Sequence, residues 1–143
     1  MAEYVNNEEQ LVQANQNVVL YDSIPCNKGY VYHRNGSGIL TLRGIVNNPY
    51  ANFARYQVTF NGNIAVPTDG TAGEIAIALS LGGEILQTSK AIVTPTVVDS
   101  YFNVTSTAII NVPRGCCFTL AVENASEGTI NVQNANLVIN RIA

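Results

Sequence analysis

The sequence predicts an all-β domain, a β-sandwich or barrel of about ten antiparallel strands. Short segments in which apolar and polar residues alternate recur from residue 18 to the end of the chain, a period typical of strands with one buried face. Clusters of Gly, Pro, Asn and Asp separate these segments at short, regular spacing, as turns do. No helical period is sustained after residue 16, and 143 residues suffice for one domain with its own core.

Residues 1–16 differ from the rest of the chain, because they carry three glutamates and several amide side chains but few apolar ones. We predict an N-terminal arm over residues 1–16, followed by a single β domain over residues 17–143. The arm is expected to be either extended or one short helix from Asn7 to about Ala14, with Asn6 as a candidate N-cap.

The first half of the domain is predicted to begin with strands at residues 18–21, 30–33 and 39–46. Asn35-Gly36, between the last two of these, is a strong hairpin signal. The next strand, residues 53–60, carries on one face Ala54, Tyr56, Val58 and Phe60. Asn61-Gly62-Asn63 is then expected to turn the chain into a short strand at residues 64–66, and residues 67–73 form a pronounced loop.

The second half continues with residues 74–81, where large apolar side chains on one face oppose small ones on the other. Gly82-Gly83 supplies a two-residue turn, and residues 84–93 return as a strand. Residues 101–123 are predicted to form a β-hairpin that turns at Pro113-Arg114-Gly115. Its first strand is expected to bury Phe102, Val104, Ala108, Ile110 and Val112. The last strands are residues 129–132 and 137–142, with a bulge near residues 134–136.

The composition limits the classes of partner. Charged residues make up 12% of the chain, about half the usual share for a soluble domain, so much of the polar surface is uncharged. Such a surface suits packing against copies of the chain or within a larger assembly. A net charge of −3 without a basic cluster argues against a nucleic-acid partner. The N-terminal residues do not resemble a signal peptide and no apolar run approaches the ~20 residues of a membrane span, so synthesis in a cytoplasm without membrane association is expected.

No set of residues in the sequence points to catalysis. His33 is the single histidine, and it could lead a catalytic set only if Asp22, Asp69 or Asp99 converged on it. The other carboxylates are scattered singly, and Asp69-Gly70-Thr71 is a turn more readily than a calcium loop. The three cysteines include an adjacent pair that makes a poor disulfide or redox motif, so reduced cysteines are expected. We therefore predict no enzyme activity, no catalytic or metal site and no cofactor.

The order of these segments resembles a known family. An Arg-Tyr-Gln-Val-Thr-Phe strand at residues 55–60 precedes the Gly-Gly turn, and Ile-Asn-Val-Pro-Arg-Gly at 110–115 and Leu-Val-Ile-Asn-Arg-Ile at 137–142 follow it. This pattern is similar to the tumour necrosis factor-like and complement globular-head superfamily, particularly its compact bacterial and phage-encoded members. The resemblance covers about residues 17–143 and implies a ten-stranded jelly-roll β-sandwich that forms a tight homotrimer. The candidate trimer-interface residues on this chain are Tyr56, Phe60, Phe102 and Phe118.

The resemblance also suggests a function. A small trimer with an acidic arm and no collagen-like stalk resembles phage virion proteins that decorate a capsid or form a head or tail appendage, with the major capsid protein or another virion protein as partner. The protein would then be made in the host bacterial cytoplasm and reside in the virion. The candidate capsid-contact residues of the arm are Tyr4, Val5, Glu8, Glu9, Leu11 and Val12, and the loops at 47–50 and 67–73 are candidates for an outer rim. The alternative is a binding module that recognises glycan or a cell-surface protein through its loops.

Overall fold

The computed structural model describes residues 1–24, 26, 29–44, 50, 52–114 and 117–142. The predicted end of the third strand at residues 45–46 and most of the 47–50 loop lie outside the described residues. The described part contains a 3₁₀ turn, Gln87–Ser89, and twelve strands. The strands are β1 (Ala2–Asn6), β2 (Gln10–Val12), β3 (Tyr21–Ile24), β4 (Val31–His33), β5 (Leu40–Arg43), β6 (Phe53–Ala65), β7 (Ile75–Leu81), β8 (Glu84–Ile85), β9 (Ala91–Val93), β10 (Phe102–Pro113), β11 (Cys117–Asn124) and β12 (Ile130–Arg141).

The strands form two antiparallel sheets, which confirms the predicted all-β sandwich. Sheet A has the order β10-β6-β12-β1-β3, with β2 also paired to β12. Sheet B has the order β4-β5-β11-β7-β8, with β9 also paired to β7. The core between them is built from the inward side chains of both sheets, as expected for face-to-face packing. Its largest fully buried members include Tyr4, Tyr56, Phe60, Leu20, Leu40, Leu42, Ile64, Ile77, Leu79, Leu120, Ile130 and Leu137.

Strand β6 is longer than predicted, because the expected turn at Asn61-Gly62-Asn63 is wrong. The strand runs on to Ala65 and pairs with β10 in unbroken register from Phe53↔Pro113 to Ile64↔Phe102. Gly62 faces the core, where a Cβ would lie 2.9 Å from Cζ of the Phe60 ring. The glycine therefore makes room for an aromatic neighbour two residues away, and it does so without bending the strand.

The predicted hairpin over residues 101–123 is also wrong, although both of its strands exist. β10 pairs with β6 in sheet A, whereas β11 pairs with β5 and β7 in sheet B. The break after Pro113 thus carries the chain from one sheet to the other, and Gly115 and Cys116 lie outside the described residues. Val104, Ile110 and Val112 are buried as predicted, but Phe102 is exposed at the start of its strand.

The segment after Gly82-Gly83 is less regular than predicted. Both glycines have positive φ, 61° and 87°, as a two-residue hairpin turn requires. The returning strand is interrupted between β8 and β9 by the 3₁₀ turn. There the Ser89 hydroxyl accepts from the backbone N–H of Leu79 (3.0 Å) and donates to the carbonyl of Leu86 (2.7 Å), so a side chain replaces part of the backbone ladder.

The remaining predictions concern the two ends of the domain. The first predicted strand, residues 18–21, is displaced, since β3 begins at Tyr21 although Val18 and Leu20 are buried. The last two predicted strands are one continuous β12, with a register shift between Gln133 and Asn136. Asn134 has a φ of 56° at this point, which confirms the predicted bulge.

Candidate functional site

The N-terminal arm is extended and belongs to sheet A. β1 lies inside the sheet, paired with β12 from Ala2↔Ile139 to Asn6↔Ala135 on one side and with β3 on the other. β2 pairs with β12 through Val12↔Ile130. The helical alternative for residues 7–14 is wrong. The Asn6 side chain instead accepts from the backbone N–H of Glu8 (3.1 Å) and turns the chain between two strands.

This placement divides the six capsid-contact candidates. Tyr4 and Val12 point into the core and are buried, so they are removed from the candidate contact surface. Val5 is half-buried on the outward side, and Glu8, Glu9 and Leu11 are exposed. We call these last three residues the arm surface. The carboxylate of Glu9 accepts a hydrogen bond from the hydroxyl of Tyr101. The pKa of Tyr101 is raised to about 12, mainly by burial and secondly by this hydrogen bond.

The four trimer-interface candidates are divided in the same way. Tyr56 and Phe60 face inward on β6 and are fully buried within the single chain, which makes them core residues. The Tyr56 hydroxyl donates to the carbonyls of Tyr30 (3.2 Å) and Arg43, and burial raises its pKa. Phe102 is exposed, and Phe118 is partly buried against the core. Only Phe102 and Phe118 therefore keep surface for a contact between chains.

The outward face of the three longest strands forms a broad polar surface, which we call the outer A face. Among the described residues it carries a single charged side chain, that of Arg55. It consists of Phe53, Arg55, Gln57, Thr59, Asn61 and Asn63 of β6, Asn103, Thr105, Thr107, Ile109 and Asn111 of β10, and Gln133, Asn136, Val138 and Asn140 of β12.

Side-chain hydrogen bonds run across this face from strand to strand. The amide of Asn103 donates to the side-chain oxygens of Asn61 (2.9 Å) and Asn63 (3.1 Å). Arg55 Nε donates to Asn111 Oδ1 (3.0 Å). These bonds order the short side chains of the face, and Ile109 is exposed near its middle.

Sequence reasoning missed the outer A face because it searched the inward aromatic residues for an interface. The signal was present in the residues that alternate with them, since Asn103, Thr105, Thr107 and Asn111 occupy four of the five outward positions that β10 contributes to the face. Uncharged polar residues at the outward positions of a long strand differ from the charged residues usual on a solvated face.

His33 has a structural partner on each side of its ring. Nδ1 lies 2.6 Å from Oδ1 of Asp22, and Nε2 donates to the carbonyl of Ser37 at 2.8 Å. The side chain is 1% exposed, and its ring lies 4.7 Å from the ring of Tyr4, centroid to centroid. Asp22 thus converges on the histidine, but both ring nitrogens are engaged. The group joins β3, β4, β1 and the loop before β5.

A cavity of about 1020 Å³, open to solvent, lies beside loop 67–73 at one end of the sandwich. Residues 125–129 form its opposite wall, and the charged residues that line it are Asp69, Glu74, Lys90 and Glu127. The described residues contain no group of three or more His, Cys, Asp or Glu side chains that could hold a metal ion. Within the same residues, no helix has the length and apolar character needed to cross a membrane. Cys26 and Cys117 are both present as thiols.

Comparison with known proteins identifies the fold. No protein-family model and no curated protein matches the chain. Among solved structures, the chain is similar to Eiger TNF from S. frugiperda, with a TM-score of 0.69 at 15% identity, over 99% of this chain and 91% of that one. The globular domain of zebrafish complement 1qA is similar with a TM-score of 0.58 at 11% identity, over 96% of each chain. Murine APRIL is similar with a TM-score of 0.55 at 11% identity, over 95% of this chain and 96% of that one. The predicted jelly roll of the tumour necrosis factor and complement-head type is thereby confirmed.

Proposed function

We propose that this protein is a non-enzymatic structural protein that assembles into a homotrimer through the outer A face. The observation that carries the proposal is the near absence of charge across this face of ordered Asn, Gln and Thr side chains. The centres of protein interfaces are depleted of charge. A carboxamide or hydroxyl both donates and accepts, so the same face on a second copy can satisfy it. Three copies rather than two follow from the family resemblance.

The solution mass tests the assembly. Light scattering of the purified protein is expected to give three times the chain mass of 15.3 kDa. Ile109→Asp places a charge in the middle of the outer A face and is expected to yield monomers. The matched control is Ile92→Asp on sheet B, because the two isoleucines are equally exposed, at 54% and 52%. A monomeric wild-type protein, or an Ile109→Asp variant that remains trimeric, would contradict the proposal.

The more specific role is that of a phage capsid decoration protein, or a head or tail appendage. A trimer matches the three-fold positions of an icosahedral shell, and a protein that binds only the assembled shell stabilises it by mass action. The arm surface supports this role, because it joins an exposed leucine to two exposed carboxylates on segments anchored in sheet A. The partner would be the major capsid protein or another virion protein, and the protein would reside in the virion after synthesis in the bacterial cytoplasm.

Cosedimentation with assembled capsids tests this role. Deleting the N-terminal arm is unsuitable, since it would remove β1 from inside sheet A. Glu8→Lys reverses a charge on the arm surface outside the cavity beside loop 67–73, which Leu11 helps to line. It is expected to abolish cosedimentation while the trimer mass is unchanged. Glu84→Lys makes the same change at an exposed carboxylate of β8 in sheet B and is expected to bind as wild type does. Equal binding by both variants would exclude the arm surface, and absence of wild-type binding would exclude the decoration role.

The cavity beside loop 67–73 favours one alternative function, recognition of glycan or a cell-surface protein. Its volume reaches the upper end of the range usual for ligand sites, about 300–1,000 Å³. A glycan array probed with the Glu8→Lys variant separates the two functions, because Glu8 belongs to the arm surface and does not line the cavity. Binding that persists in this variant but disappears in Asp69→Ala would support the binding module and count against decoration.

A further inference from the structure

Sheet B carries a second cavity on the side of the molecule opposite the outer A face. It has a volume of about 400 Å³, and we call it the Glu123 cavity after the residue that distinguishes it. It is lined by Asn15, Asn17, Ile39, Ser80, Gly83, Thr119, Leu120, Ala121 and Glu123. Because it lies on the other sheet, it is independent of the proposed trimer contact.

The register of β11 against β7 explains how the cavity forms. Thr119, Ala121 and Glu123 occupy alternate positions and therefore share the outward face of β11. Ser80 pairs directly with Ala121, so its side chain stands on the same face beside the methyl group of the alanine. Two small side chains next to a longer glutamate leave a depression, and the bridge between Asn17 and Glu123 places the segment before β3 along its rim.

Two polar residues that line this cavity are largely buried. Glu123 is 8% exposed and Ser80 is 2% exposed. Within the described part of the chain, neither the Glu123 carboxylate nor the Ser80 hydroxyl forms a side-chain hydrogen bond or ion pair. Neither group is among the fully buried side-chain atoms without a partner, of which the described residues contain one, Asn131 Oδ1, so the oxygens of Glu123 and Ser80 remain accessible from the cavity. Partial burial raises the pKa of the Glu123 carboxyl group.

We propose that the Glu123 cavity binds a primary ammonium group. A positive charge offsets the cost of burying the carboxylate, and the three N–H donors of an ammonium match acceptors that line the cavity: the carboxylate, the Ser80 hydroxyl and the carboxamides of Asn15 and Asn17. Ile39 and Ala121 supply apolar surface for the attached alkyl chain. The ammonium could belong to a small alkylamine or to a lysine side chain of a peptide, since both present the same group.

Titration of the ¹⁵N-labelled protein followed by NMR tests the site with defined probes. n-Butylammonium is expected to shift the amide resonances of β11 and β7 around Glu123. n-Butanol lacks the charge, and butyltrimethylammonium lacks the N–H donors, so both should bind at least about tenfold more weakly, the factor expected for one charge-assisted hydrogen bond. Equal binding of n-butanol, or no shift with n-butylammonium, would overturn the proposal.

Variants and a peptide complete the test. Glu123→Gln keeps the shape of the side chain and is expected to lower the affinity for n-butylammonium at least about tenfold. Glu123→Asp retains the charge and should lower this affinity by a smaller factor. Glu127→Gln removes an exposed carboxylate that lines the other cavity and should leave binding unchanged. Tighter binding of N-acetyl-Gly-Lys-Gly-amide, whose only ammonium is the lysine side chain, than of n-butylammonium would identify a protein lysine as the ligand, and weaker binding a free amine. Unchanged affinity in Glu123→Gln would overturn the site.

Discussion

The Glu123 carboxyl group makes the stability of the fold depend on pH. Burial raises its pKa above the ordinary value of 4.5, so the folded state favours the neutral form. The stabilisation is complete below the pKa of the unfolded chain, and it is lost as the pH rises through the pKa of the folded state. We predict that Glu123→Gln unfolds at higher denaturant concentration than wild type at pH 7. The difference should vanish at about pH 3, below both pKa values.

Chemical denaturation at the two pH values measures this effect. Glu127→Gln serves as the control, because its exposed side chain should leave the unfolding midpoint unchanged at both. A Glu123→Gln variant that is less stable at pH 7 would show that the ionised carboxylate has a stabilising partner.

His33 is predicted to contribute to stability through its two hydrogen bonds. His33→Ala removes the partners of Asp22 and of the Ser37 carbonyl and leaves a hole beside Tyr4. We expect it to lower the free energy of unfolding by about 3 kcal/mol, measured by urea denaturation. Tyr32→Ala, at an exposed neighbouring position, should change it by no more than about 0.5 kcal/mol. Equal effects of the two substitutions would mean that the His33 contacts do not stabilise the fold.

The convergence of Asp22 on His33 shows the limit of sequence reasoning at the residue scale. Sequence analysis identified Asp22 as one of three aspartates that could approach His33, but no local pattern indicates which of the three does so. The pairing arises because β3 and β4 lie at edges of different sheets, β3 beside β1 and β4 beside β5. Such a contact depends on how the two sheets pack, which a local pattern does not record.

Within β6, Gly62 offers a direct test of the packing against Phe60. Gly62→Ala would place a methyl group 2.9 Å from the aromatic ring, so the ring or the strand must move. We predict a loss of about 1–3 kcal/mol in the free energy of unfolding, seen as a lower midpoint in thermal denaturation. Gly73→Ala is the control, because the nearest heavy atom would be 4.0 Å away. A neutral Gly62→Ala would mean that Phe60 relaxes without cost.

At the scale of elements, alternation predicted most strands, and the errors have identifiable causes. The segment Asn61-Gly62-Asn63 has the composition of a turn, but its glycine is required by an aromatic neighbour in the core. The predicted break at Pro113 is confirmed, but the predicted pairing of the two strands on either side of it is wrong. A turn between sheets and a turn within a hairpin use the same residues, and only the pairing of β10 with β6 distinguishes them.

The whole molecule is predicted to assemble without dependence on salt. Interactions between exposed charges are screened at high ionic strength, but the described outer A face holds only one charged side chain, Arg55. The trimer mass measured by light scattering should therefore be the same at about 0.1 M and about 1 M NaCl. Dissociation at the higher concentration would show that ion pairs elsewhere hold the chains together.

The candidate surfaces were only partly accessible to prediction at this scale. The shortage of charge in the composition predicted packing against copies or an assembly, but not which face takes part. Tyr56 and Phe60 were reasonable interface candidates as large aromatic residues, yet the sandwich places them in its own core. The Glu123 cavity could not be predicted, because it forms only where β11 pairs with β7. Ala121 and Ser80 lie opposite each other in this pairing although they are far apart in the sequence.

The position of β12 has a consequence during synthesis. This strand, Ile130–Arg141, holds β6 on one side and the N-terminal β1 and β2 on the other. On the ribosome, the first strands to leave the exit tunnel therefore have no partner in β12 until nearly the whole domain has been translated. The nascent chain must keep Tyr4 and its neighbours from aggregating throughout elongation, and slow pairing of distant strands prolongs that period. Glu3, Glu8 and Glu9 flank this stretch, and charges beside an apolar strand oppose its aggregation while the strand waits for β12.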